Sequence, residues 1–103
     1  MTTAIVAERG FSLATIDRLA AALREALARG DSIQLDLTHV AAPDLALLQL
    51  VEAARRQASR DGVDVALAAP AGAGLARALE RAGFIKGFDA TDHDFWFHGD
   101  PPR

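Results

Sequence analysis

Apolar and polar residues alternate from Ile33 to Thr38, with Ile33, Leu35 and Leu37 on one side and Gln34, Asp36 and Thr38 on the other. A period of two predicts a strand with one buried face. Beyond a short connection the period lengthens. Leu47, Val51, Ala54 and Ala58, with Leu50 beside them, share one stripe of a helix at about 3.6 residues per turn. Asp44 stands where an N-cap carboxylate accepts from the free amides of a first turn, and Gly62 offers the left-handed residue that ends a helix. At about 100° per residue, Leu45, Gln49, Glu52 and Arg56 gather on the face away from that stripe. Leu45 is therefore expected to point at water.

The same reading extends in both directions. Thr3 to Glu8 is a β-prone run holding Ile5 and Val6 and broken by Arg9-Gly10, which predicts a first strand. Ile16, Leu19, Leu23 and Leu27, with Ala20 and Ala26 between them, predict a first helix, capped by Ser12 or Thr15 and ended by Gly30. Val63 to Ala68 repeats the strand period with Val63, Val65 and Leu67 on one face and Asp64 on the other. Pro70 leads through a small-residue turn to a third helix with Leu75, Ala78, Leu79 and Ala82 on one stripe and Gly83 as its stop. Phe84 to Phe88 reads as a last strand. Strands joined through helices pair in parallel by crossover connections, and charge on the opposite strand faces implies that helices cover mainly one side. The expectation is an α/β fold: a single-domain mixed β-sheet with helices mainly on one face, spanning residues 1–88. Residues 89–103 form an acidic, aromatic C-terminal tail, in which burying each ring of Phe95-Trp96-Phe97 is worth roughly 2–3 kcal/mol, so the rings are expected to dock on the body or on another subunit.

Composition narrows the function. The chain has no cysteine, which removes disulfides, thiol chemistry and thiolate metal sites. Its net charge of −3 arises in the tail, because residues 1–88 balance ten acids against ten bases. A neutral body without a basic stripe speaks against nucleic-acid binding. Arg55, Arg56 and Arg60 gather near a helix end, where cations answer the helix dipole. No basic leader precedes an apolar run and no window is long and apolar enough to span a bilayer, so a cytoplasmic location without membrane insertion is expected.

The landmarks resemble a known family. Asp36-Leu37-Thr38-His39-Val40 is similar to the D-L-S-x-V strand end of the STAS domains, named for sulphate transporters and anti-sigma factor antagonists. Asp44 falls on the aspartate that opens the family's central helix and Leu48 on that helix's usual leucine. Pro70 through Leu75, Leu79, Ala82, Gly83 and Phe84 resemble its proline-led closing helix and G-[LF] stop. The resemblance covers about residues 12–88, mostly at structural positions, and implies fold more than function. In the phosphorylatable members a serine or threonine follows the aspartate, and here that residue is Leu45. No hydroxyl lies between Pro43 and Gln49, so a partner-switching phosphorylation cycle cannot run through this site.

What the resemblance implies is a non-enzymatic interaction module of bacterial signalling, docking through the start of its second helix, with Asp44, Leu45, Leu48, Gln49 and Glu52 as partner-binding residues. The implied partners are a kinase, an anti-sigma factor or an ATPase subunit. Among small unphosphorylatable members, the D-L-x-x-L-Q-L run from Asp44 to Leu50 and the C-terminal Phe-Trp resemble those found beside chemotaxis genes and, more distantly, the scaffold subunit of lipid-asymmetry transporters.

Other chemistry is thin. Asp92, His93, Asp94 and His98 have metal-ligand types, but their spacing matches no established closed site, and a solvated acidic turn is the simpler reading. His39 is read as a surface residue at a strand exit. Ala71-Gly72-Ala73-Gly74 lacks the Lys-Ser/Thr pair of a phosphate loop and departs from G-x-G-x-x-G, which favours a structural turn. No catalytic constellation, cofactor or metal is expected. The alternative function is a small-ligand or metal-sensing regulator. A homodimer is also expected to be open to the chain, since an exposed apolar helix start and an aromatic tail could complement themselves.

Overall fold

The computed structural model describes residues 2–7, 13–40 and 43–98. The alternating runs become three strands, β1 (Thr2–Val6), β2 (Ser32–Asp36) and β3 (Val65–Leu67). They form one sheet in the order β1-β2-β3, with every pairing between described residues parallel. Thr3, Ile33 and Val65 share one row and Ile5, Leu35 and Leu67 the next. The register thus places Ile5, Ile33, Leu35, Val65 and Leu67 on one face. Ile5, Ile33, Leu35 and Leu67 are buried there, while Ala4, Gln34 and Ala66 on the other face are exposed and Val6 keeps 57% of its surface in solvent.

Two long helices cover the buried face, α1 (Leu13–Arg29) and α2 (Leu45–Asp61), which pack on the sheet and on each other. Leu19, Leu23 and Ala26 of α1 are buried, and Asp17, Arg18, Arg24, Glu25 and Arg29 line its wet side. Ser12, the Arg9-Gly10 break and residues 99–103 lie outside the described residues, as does the side chain of Thr15. At the end of α2, Gly62 has φ 68° and its amide donates to the Ala58 and Ser59 carbonyls, while the Val63 amide returns to Ala58. This closure satisfies the last carbonyls of the helix and turns the chain directly into β3.

The chain then forms α3 (Ala73–Arg81) and α4 (Ala90–Phe97). The expected strand at Phe84–Phe88 is instead a 3-10 turn over Ile85–Gly87. Gly83, at φ 79°, breaks the chain away from α3, and the Gly87 and Phe88 amides bond to the carbonyls three residues back. Pairing on the outer edge of β3 is also pre-empted. There α4 lies close, with His98 Nε2 3.1 Å from the Leu67 carbonyl oxygen and the Ala71 amide donating to the Trp96 carbonyl at 2.7 Å.

The acidic lead-in of the tail is the start of α4. Asp89 caps it and Asp92 returns a carboxylate to the Asp89 amide, a reciprocal capping box. Phe95, Trp96 and Phe97 are all buried, and they join the same core as Leu35, Leu47, Leu48 and Leu79. Of the two docking places open to these rings, the chain's own body takes them.

Candidate docking face at the start of the second helix

The site is built where β2 hands over to α2. Asp36 at the strand end accepts from both the amide and the hydroxyl of Thr38, which tightens the exit turn. These hydrogen bonds hold the Asp36 carboxyl below the usual carboxylate range. His39, exposed, sits 3.9 Å from the same carboxylate. Pro43 precedes Asp44, whose extended backbone (φ −123°, ψ 177°) aims its Oδ1 at the Leu47 amide, 3.0 Å away. Capping fixes where the helix begins and hence the direction of every side chain after it.

Leu45 is the first residue of α2 and is 51% exposed. Gln49, one turn on, is exposed beside it, as is Arg56. Two clefts flank this stripe. One of about 270 Å3 lies against α3 and is lined by Pro43, Asp44, Leu45, Ala78, Arg81 and Ala82. The other, of about 500 Å3, runs between Gln49, Glu52 and Arg56 on α2 and Phe84, Gly87, Phe88 and Asp92. A longer open groove of about 790 Å3 follows the outer edge of β3 past Arg55, Phe95 and His98.

Of the five residues expected to meet a partner, Leu48 is part of the core and Glu52, though it lines the larger of the two clefts, is engaged within the molecule. Leu48 has none of its surface exposed, so it supports the face from beneath. Glu52 is half-buried: its Oε1 accepts from Arg55 at 2.8 Å and from the Trp96 indole at 3.3 Å. The cause is angular. With Leu45 at zero and about 100° per residue, Leu48 falls near 300°, Arg55 near 280° and Glu52 near 340°. That flank of α2 faces α4, so its buried arc is displaced from the one the sequence suggests, and Leu50 is only partly buried. Asp44, Leu45 and Gln49 remain as surface.

Arg55 is a further correction. Its side chain, 14% exposed, bridges Glu52 and Asp92 and lies 4.3 Å above the Phe95 ring. It therefore ties α4 to α2 rather than answering a helix dipole. The available signal was its spacing, three residues past Glu52 and seven past Leu48. Partial burial raises the Asp92 carboxyl, but the Asp89 amide and the Arg55 guanidinium outweigh it and hold the group below the usual carboxylate range. A depressed carboxylate stabilises the fold above its unfolded pKa and stops doing so as pH falls through its folded one. Asp92→Asn should thus cost about 0.5–1 kcal/mol at neutral pH, and denaturation curves of variant and wild type should merge in acid. A gap that persists below the carboxylate range would show that the charge is not what matters.

The remaining candidates are dispersed. His93 sits edge-on to Phe88 at 5.5 Å and near Phe97 at 6.1 Å, and its Nδ1 is buried without a hydrogen-bond partner among the described residues. Asp94 is exposed, and His98 turns back on Leu67. No three His, Cys, Asp or Glu among the described residues converge as metal ligands. Gly72 begins α3 without a side-chain cap, and a Cβ there or at Gly74 would meet no atom within 4 Å. No helix among the described residues is long and apolar enough to cross a membrane.

A protein-family model described as "Mlab, STAS domain" matches residues 4–86. No curated protein and no solved structure gives a significant match. The chain belongs to the STAS domain family, whose members are in general regulatory modules that interact with protein partners.

Proposed function

We propose that the chain is a non-enzymatic cytoplasmic STAS module that binds a regulatory protein of bacterial signalling through the start of α2, without phosphorylation there. The observation that carries this reading is Leu45, half exposed at the helix start and lining the smaller cleft. A leucine in this place cannot accept a phosphoryl group, so the face it offers is permanent. Asp44 and Gln49 supply polar contacts at its rim. Glu52 lines the larger cleft while its carboxylate is held by Arg55 and the Trp96 indole.

A kinase, an anti-sigma factor and an ATPase subunit are all partners that such a face suits. The two features favouring a chemotaxis association, the Asp44–Leu50 run and the Phe-Trp pair, both contain core residues, since Leu48 and Trp96 are wholly buried. They consequently speak for packing, and the ATPase-scaffold reading stands beside the chemotaxis one.

Capture from lysate with wild-type and Leu45→Glu baits tests the proposal. Burying the exposed half of Leu45 is worth roughly 1 kcal/mol, and drawing an unpaired carboxylate into a dry contact costs several kcal/mol more, so the variant should retain less than about a tenth of the captured partner. Its thermal unfolding should stay near that of the wild type. Equal capture by both baits would refute the docking face, and the identity of the retained protein would separate a signalling kinase from an ATPase subunit.

A further inference from the structure

The smaller cleft carries a pattern that matches itself. Leu45, half exposed, lines it as an apolar side chain, and the cleft, of about 270 Å3, is also lined by Ala78 of α3 and by Ala82, the residue that follows α3. A cavity of about 150 Å3 already holds a benzene ring, so a branched aliphatic side chain has room. The two charges lining this cleft are opposite in sign. Asp44 stands on the α2 side, one of its oxygens occupied by the Leu47 amide, and Arg81 on the α3 side has no ion-pair or hydrogen-bond partner among the described residues.

We infer that the occupant of this cleft is a second copy of the chain, related by a two-fold axis that passes near Leu45. Under that operation each Leu45 enters the cleft of the other copy, and each Asp44 faces the other copy's Arg81, so both charges are answered twice by one contact. A uniformly acidic or basic partner would satisfy one of them and repel the other. The aromatic tail takes no part, since its rings are already buried in the core.

The patch is small beside the roughly 800 Å2 per partner of a stable complex. The dimer is accordingly weak and concentration-dependent, and it covers the face assigned above to a regulatory partner. This inference rests on that assignment and adds a regulation to it: self-association and partner binding exclude one another.

Sedimentation of the full chain from low micromolar to millimolar concentration tests it. Wild type should shift from monomer toward dimer across the range. Leu45→Glu should remain monomeric, and Arg81→Glu should raise the dissociation constant by roughly tenfold or more, because the new carboxylate faces Asp44. Mixing Arg81→Glu with Asp44→Lys should restore dimers of one chain of each kind, as both cross-pairs are then opposite in sign. Asp44→Lys also removes a helix cap, so its circular dichroism is compared with that of Asp44→Asn, which keeps a cap acceptor and should weaken the dimer without abolishing it. A wild type that stays monomeric throughout, dimers that survive Leu45→Glu, or a mixture that fails to pair would each overturn the inference. If the wild type stays monomeric while partner capture still depends on Leu45, self-association alone is refuted and the docking reading stands.

Discussion

Replacing Trp96 with alanine is expected to cost about 3–5 kcal/mol of unfolding free energy, the range for emptying a large aromatic site in a packed core. The indole is fully buried, lies edge-on to Phe95 at 5.0 Å and donates to Glu52. Its removal opens a void between α4 and α2 and leaves the Glu52 carboxylate with Arg55 as its remaining partner. At eight residues, α4 is too short to persist alone in water, so it should fray when its anchor goes. Trp96→Phe retains most of the buried area and loses the donor, for an expected cost of about 1–2 kcal/mol. Urea denaturation followed by far-ultraviolet circular dichroism measures both. A Trp96→Ala variant within about 1 kcal/mol of wild type would mean that α4 is not seated against the core in solution.

The second large effect separates two leucines three positions apart. Leu48→Ala should destabilise by about 2–5 kcal/mol, since the side chain is wholly buried. Leu45→Ala should cost no more than about 1 kcal/mol, since about half of the side chain already lies in solvent. Partner capture should divide them in the opposite sense at temperatures where both variants are folded. If Leu45→Ala proved the costlier for stability, the direction assigned to the first turn of α2 would be wrong, and the docking face with it.

The parts of this fold legible in the sequence are those in which one face is buried and the other wet. Ile33, Leu35 and Leu37 alternate because the sheet is covered on a single side, and Leu19, Leu23, Leu47 and Val51 keep helical spacing because their helices lie on that cover. The outward direction of Leu45 followed from the same arithmetic. The burial of the tail's rings was expected, but the helix that carries them and its contacts with α2 escaped. Phe95, Trp96 and Phe97 occupy consecutive helical positions and are all buried, so they show no period. Helical periodicity detects a helix lying on a surface, not one inserted among other elements. The misplacement of Leu48, Glu52 and Arg55 has the same origin, for the flank of α2 that they share faces α4. Phe84–Phe88 failed for a different reason: a short apolar run between glycines carries no signal that distinguishes a strand from a tight turn.

The family match ends at residue 86, and the largest wholly buried side chain of the molecule comes ten residues later. Homology and mechanical integrity therefore draw different borders. A fusion or domain swap trimmed to the matched segment would remove Phe95, Trp96 and Phe97 from the core and leave an unstoppered interior prone to stick to its neighbours. The portable unit, the stretch that can be moved into another protein and still fold, must carry its plug with it.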